Sequence, residues 1–135
     1  MATIFVVEDE PQVQDVVRLT LSHAGHEVVE AVSGDKAIEI TNGRRIDLAI
    51  IDYRLPGISG LDCLRSLRAL HPLLPAIVIT GYASIPNAIE AIRVGVSDYL
   101  PKPFTPRELL QAVERTLRFR KDWGLTKVPT MTAGE

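Results

Sequence analysis

Four short runs in this chain each stop at a polar residue, and this feature constrains the fold more than any other. Ile4–Val7 is followed by Glu8 and Asp9, Leu48–Ile51 by Asp52, Ala76–Ile79 by Thr80, and Asp98–Pro101 by Lys102. Short apolar runs rich in β-branched side chains read as strands buried on both faces, the habit of parallel strands. Parallel neighbours need crossover connections, and the intervening sequence supplies helices. Pro11 stands at a first helical position, Val13, Val16, Val17 and Leu21 recur at helical spacing, and Gly25 closes the segment. Glu27–Ala31 reads as a short strand, and Ser33 caps a predicted helix through Asn42 that stops at Gly43. Ile46–Asp52 is a dense strand. The loop Leu55-Pro56-Gly57 with Ser59-Gly60 then leads into a helix marked by Leu61, Leu64, Leu67 and Leu70. Ala76–Thr80, a helix over Ser84–Val94, and a last strand over Ser97–Leu100 complete the alternation. Thr105-Pro106-Arg107-Glu108 is a capping box with proline in the first turn, opening a final helix that runs to Asp122.

Five strands alternating with five helices predict a doubly wound α/β domain with a parallel sheet and helices on both faces. The strand order 2-1-3-4-5, the flavodoxin-like order, sets the first and third strands side by side and makes Asp9 and Asp52 neighbours. The domain is expected over residues 1–122, and residues 123–135, with Thr, Pro and Gly but no periodicity, as a flexible tail or the start of a linker. The chain's 135 residues suit one domain.

All the strand-end residues then gather along one edge, outside the carboxyl ends of the strands, where open α/β sheets bind ligands. Carboxylates with no histidine or cysteine beside them suit a hard, oxygen-loving cation such as Mg²⁺. The Thr80 hydroxyl and Lys102 ammonium suit phosphoryl oxygens. Each pair of carboxylates around one point repels by about 4 kcal/mol at ~4 Å and an effective dielectric of about 20. A divalent cation relieves that repulsion and neutralises incoming phosphoryl oxygens. An aspartate is a competent phosphoryl nucleophile.

Together Glu8-Asp9, Asp52 in Leu-Ala-Ile-Ile-Asp, Leu55-Pro56-Gly57, Thr80-Gly81 and Tyr99-Leu100-Pro101-Lys102-Pro103-Phe104 resemble the receiver domain of two-component response regulators. The resemblance covers residues 3–122, and Thr80–Leu109 looks most like receivers of nitrogen-regulation-type transcription activators. It implies that Asp52 accepts a phosphoryl group from a sensor histidine kinase or a phosphotransfer protein. It implies that Asp9 binds Mg²⁺ (or Mn²⁺) directly, that Glu8 acts through a metal-bound water, and that Asp52 and the backbone carbonyl of Arg54 are further ligands. Thr80 and Lys102 would contact the phosphoryl oxygens, Tyr99 would be the switch aromatic, and Lys102–Pro103 matches a bond that is typically cis. Such a domain is a signalling module whose only chemistry is its own phosphorylation and dephosphorylation. Receivers also dimerise through the fourth helix, last strand and last helix.

The remaining features bound the alternatives. A net charge of -2 with no basic run argues against nucleic-acid binding by this chain alone. The first apolar stretch is short and ends in acids, unlike a signal peptide or membrane span. The single cysteine, Cys63, sits among leucines at helical spacing and reads as a core thiol, which fits a reducing cytoplasm. An FMN-binding flavodoxin-like protein would place a hydroxyl- and glycine-rich phosphate loop where this chain has Glu8-Asp9-Glu10. A receiver kept only for docking would lack Asp52, Thr80 or Lys102. Glu10 reads as a solvated helix start, and His23, His26 and His71 as surface residues. On the last helix, Leu110, Val113 and Leu117 form one apolar stripe. Leu109, Ala112, Thr116, Phe119 and Trp123 form a second, which either merges with the first into a buried face or mediates association.

Overall fold

The computed structural model describes residues 1–118. Strands β1 (Thr3–Val7), β2 (Glu27–Ala31), β3 (Leu48–Asp52), β4 (Ala76–Thr80) and β5 (Asp98–Pro101) alternate with helices α1 (Pro11–His23), α2 (Ala37–Thr41), α3 (Gly60–Leu70) and α4 (Ile85–Val94). Residues 106–118 are helical and form α5. The sheet is parallel throughout with order β2-β1-β3-β4-β5, as the alternation predicts.

The period-2 rule divides each strand between two cores. Ile4, Val6, Leu48, Ile50, Ile77 and Ile79 face Val17 and Leu21 of α1 and Leu109, Ala112 and Val113 of α5. Phe5, Val7, Ala49, Ile51 and Ala76 face Ala37 of α2 and Cys63, Leu64 and Leu67 of α3. Val78 meets Leu61 of α3 and Ala91 of α4 in a smaller cluster. The Cys63 thiol is buried, and burial followed by the Asp35 charge pushes its pKa up to about 11, as suits a core thiol.

Local chemistry sets the helix ends. The predicted capping box forms: Thr105 N–H donates to Glu108 Oε1 at 2.8 Å, and Glu108 N–H donates to Thr105 Oγ1 at 3.1 Å. Ser84 and Ser59 cap α4 and α3 by accepting from the N–H groups of Asn87 and Asp62. The second helix differs from expectation. Ser33 makes no side-chain cap, Gly34–Lys36 is a 3₁₀ turn, and α2 proper spans only Ala37–Thr41. Gly34 is wedged against Ile58 and Cys63, where a Cβ would lie 2.6 Å from Ile58 Cγ1, so the turn is shaped by packing on the α3 loop. On α5 the two stripes merge: Leu109, Ala112, Val113 and Thr116 are buried, and Leu110 and Leu117 pack beside them. Phe119, Trp123 and the expected boundary at 122 lie outside the described residues.

Two of the three histidines are more involved than surface residues. His26 Nδ1 accepts from Ala2 N–H at 3.1 Å, and His71 Nε2 is buried without a hydrogen-bond partner among the described residues.

Candidate functional site

Strand register builds the site. Val7 pairs with Ile51, so the next residues, Glu8 and Asp52, emerge side by side at the carboxyl edge. Thr80 pairs with Pro101, which brings Lys102 to the same edge, and Lys102 N–H donates to the Thr80 carbonyl at 2.7 Å. Lys102–Pro103 is cis.

Three acids converge on one cation. Lys102 Nζ lies 2.7 Å from Glu10 Oε1, 2.9 Å from Glu8 Oε1 and 3.1 Å from Asp52 Oδ2. Asp52 is almost wholly buried, and its other oxygen, Oδ1, accepts from Arg54 N–H at 3.1 Å. Glu8 is fully buried. Its Oε2 accepts from Glu10 N–H at 2.9 Å, while Oε1 has the ion-pair contact with Lys102 but no hydrogen bond of good geometry.

The electrostatics follow from burial and crowding. Burial, with help from the Asp52 charge, pushes the Glu8 carboxyl up to about 7, against the opposing pull of Glu10 N–H and Lys102. Burial pulls the Lys102 ammonium down, but contacts with Glu10, Glu8 and Asp52 outweigh it and hold the group above its usual value. Oxygen atoms of Glu8, Glu10 and Asp52 lie within 4.8 Å of one another, a donor set that fits a hard divalent cation. The incompletely bonded Glu8 Oε1 fits the same assignment.

Above the acids opens a cleft of about 560 Å³ lined by Asp9, Glu10, Asp52, Arg54, Gly81, Tyr82 and Lys102, among others. The Arg54 guanidinium stacks on the Tyr82 ring, 4.0 Å from its centroid, across the mouth. Thr80 is buried, and its Oγ1 accepts from Tyr82 N–H at 2.8 Å. Tyr99 is half-buried against Leu61, Val78 and Ala91, with its hydroxyl buried and without a hydrogen-bond partner among the described residues.

Asp52, Glu8 and Lys102 thus meet, with Thr80 on the adjoining strand end. Asp9 lines the cleft but is exposed and stands outside the convergent trio. Glu10 takes the third place and is more than a solvated helix start. It is the N-cap of α1 yet makes no side-chain cap, so its carboxylate is free to reach Lys102. The proline that fixes the start of α1 was the available signal. Tyr53 also escapes a pattern-based reading: its hydroxyl lies 2.6 Å from Glu90 Oε1 and 3.1 Å from Asn87 Oδ1 of α4.

Parallel order, edge acids and apposed lysine together define a signalling domain of two-component systems. Residues 4–114 match the response regulator receiver domain, and the chain belongs to that family. It is 34% identical over 134 residues to the phosphate regulon transcriptional regulatory protein PhoB of Pseudomonas aeruginosa, covering 98% of this chain and 58% of that protein. It is 32% identical to the DNA-binding transcriptional regulator NtrC of Escherichia coli, covering 84% of this chain and 24% of that one. The chain therefore spans little more than half of the first relative and a quarter of the second. Among solved structures, NtrX from Brucella abortus superposes with a TM-score of 0.87 at 36% identity, over 93% of this chain and 29% of that one. Chemotaxis protein CheY4 of Vibrio cholerae gives 0.82 at 30% identity, over 87% of this chain and 99% of that one. Among the described residues no helix is long and apolar enough to cross a membrane.

Proposed function

We propose that Asp52 is the phosphoacceptor of this receiver. The observation that carries the assignment is its placement: a buried carboxylate at the edge of an open cleft, with Oδ1 anchored by Arg54 N–H and Oδ2 against Lys102. An Asp52 oxygen attacks the phosphorus of a phosphohistidine on a sensor kinase or phosphotransfer protein. The P–N bond breaks, the imidazole leaves, and an acyl phosphate remains on Asp52. Lys102 supplies fixed positive charge to the phosphoryl oxygens, and the Thr80 hydroxyl donates to one of them. Asp9, Asp52, Glu8 and the Arg54 carbonyl would hold Mg²⁺ or Mn²⁺; Glu8 and Asp52 stand already in the convergent cluster with Glu10, and Asp9 would join them from the cleft wall. When bound, that ion neutralises the acids and the transferred group. Hydrolysis of the acyl phosphate resets the domain.

The output is a change of surface. Thr80 drawn toward the phosphoryl group, and Tyr99 beneath α4, bias the α4–β5 face between two arrangements. That face, with α5, is the surface on which a second copy or an output domain reads the state. The domain is taken to run over residues 1–122 with a tail beyond, and to work in the cytoplasm.

The test is phosphorylation with a small phosphodonor such as acetyl phosphate. Intact mass should rise by one phosphoryl group with Mg²⁺ present, and not in chelator or in Asp52→Asn. Undiminished labelling in Asp52→Asn would transfer the role to another residue.

A further inference from the structure

Helix α4 is weakly held by apolar packing. Of its ten residues only Ala91 is buried, while Ile85, Ile89 and Ile92 are exposed. Polar contacts hold it instead, and they divide into two groups.

At its C-terminal end Arg68 of α3 donates to the Val94 carbonyl at 2.6 Å and the Gly95 carbonyl at 3.0 Å, and also to the Leu74 carbonyl. These acceptors are backbone groups on two segments, the end of α4 and the loop before β4, so this end is cross-linked to the body of the domain.

Nearer its N-terminal end the contact is of a different kind. Tyr53 directly follows Asp52, and its backbone is fixed by its N–H to the Ile79 carbonyl at 2.8 Å and its carbonyl from Gly60 N–H at 2.9 Å. From that fixed base the hydroxyl reaches Glu90 Oε1 at 2.6 Å and Asn87 Oδ1 at 3.1 Å. A phenol has one hydrogen, so one of the two acceptors is always in excess. The charged one, at the shorter distance, takes it. Asn87 has a second engagement, since its Nδ2 donates to the Tyr82 carbonyl at 2.6 Å. Tyr82 N–H in turn donates to Thr80 Oγ1. A hydrogen-bonded chain therefore runs from the Thr80 hydroxyl through Tyr82 to Asn87, whose Oδ1 stands 3.1 Å from the Tyr53 hydroxyl as the competing acceptor for the hydrogen that Glu90 takes.

We propose that Tyr53 is a positioning residue whose hydroxyl latches the middle of α4, at Glu90, to the Asp52 strand, with the Arg68 end as the fixed pivot. The latch itself belongs to the unphosphorylated chain and is independent of the phosphoacceptor assignment. Its release rests on the proposed function: when Thr80 turns to a phosphoryl oxygen, Tyr82 N–H loses its acceptor and the Tyr82–Asn87 link shifts. The Glu90 hydrogen bond, then burial, pushes the Tyr53 hydroxyl up to about 12, so it keeps its hydrogen throughout the neutral range.

Amide hydrogen exchange on the full chain tests the latch. In Tyr53→Phe without any phosphodonor, amides of Ala88–Val94 should exchange about tenfold faster, the scale of losing one hydrogen bond to a charged group. Amides of β1, β3 and α1 should be unchanged. Glu90→Gln keeps an acceptor but loses its charge and should fall between the parent and Tyr53→Phe, while Glu90→Ala should behave like Tyr53→Phe. Adding Mg²⁺ and beryllium fluoride should speed α4 exchange in the parent, and add little in Tyr53→Phe. Unchanged α4 exchange in Tyr53→Phe, or a rise shared equally by every strand, overturns the latch. The phosphodonor-free comparison stands even if Asp52 takes no phosphate, so failure of the phosphoacceptor assignment is read separately, from the mass of the acetyl phosphate-treated parent.

Discussion

At the scale of single residues, Arg54 stacks on Tyr82 beside the cleft that opens onto Asp52. Both side chains line the cleft, two positions beyond Asp52 and Thr80, and the guanidinium sits 4.0 Å from the ring centroid. An exposed contact of this kind is worth about 0.5–1 kcal/mol. A contact this weak leaves the pair free to open, so its effect on the site is a matter of rate. Tyr82→Ala should remove the ring, free Arg54 and speed loss of the phosphoryl group several-fold, while the initial rate of labelling changes less. Decay of the phosphorylated mass after removal of donor measures this, and an equal or slower decay would show that the ring does not shield the site. Sequence alone pointed to Asp52, Glu8, Thr80 and Lys102, because strand ends are countable. It set Glu10 aside, because which of three consecutive acids turns inward depends on the β1–α1 bend rather than on the pattern. Tyr53 was hidden for a related reason: its partners lie 34 and 37 residues away on a helix face.

At the scale of elements, the junction of β3 with α3 holds Asp52 in place. Gly60 starts α3 directly against the strand end, where a Cβ would collide with the Asp52 carbonyl oxygen and lie 3.0 Å from Tyr53 Cα. Both neighbours are backbone, so neither yields cheaply. Gly60→Ala should cost about 1–3 kcal/mol, the usual range for overpacking, and should slow labelling of Asp52 by shifting its backbone. Gly81→Ala is the control, since a Cβ there meets nothing within 4 Å, and its stability should stay within about 0.5 kcal/mol of the parent. Urea unfolding of the two variants makes the comparison, and equal stabilities would show that the junction relaxes. The same contrast explains which elements could be read in advance. The capping box at Thr105, the Pro11 start and the buried strand Ala76–Thr80 are local signals, and each appears where expected; β3 starts at Leu48 rather than Ile46, and β5 is Asp98–Pro101 rather than Ser97–Leu100. The second helix is shortened because Gly34 answers to Ile58 and Cys63, a packing demand from another part of the chain.

At the scale of the whole molecule, the open question for this domain is what covers α4. Ile85, Ile89 and Ile92 recur at steps of four and three on one helix face, with exposures of 77%, 44% and 73%. Within the described part of α5 the second stripe belongs to the core, since Leu109, Ala112 and Thr116 are buried. Among the described residues the exposed apolar stripe beside β5 is that of α4, framed by the Arg115–Asp98 ion pair at 2.8 Å. A two-fold contact suits such a face, because each copy offers the same stripe and the same paired charges to its partner. If phosphorylation moves α4, the stripes of two copies are brought into or out of register together. Sedimentation of the full chain should therefore show a monomer–dimer equilibrium that tightens about tenfold or more with Mg²⁺ and beryllium fluoride. Ile89→Glu should abolish the dimer, because it buries a charge at the centre of the contact without touching the core. Its unfolding midpoint should stay near that of the parent, since Ile89 is already exposed. A chain that stays monomeric at high concentration in both states would leave the α4 face to a different partner, and the dimer would be ruled out.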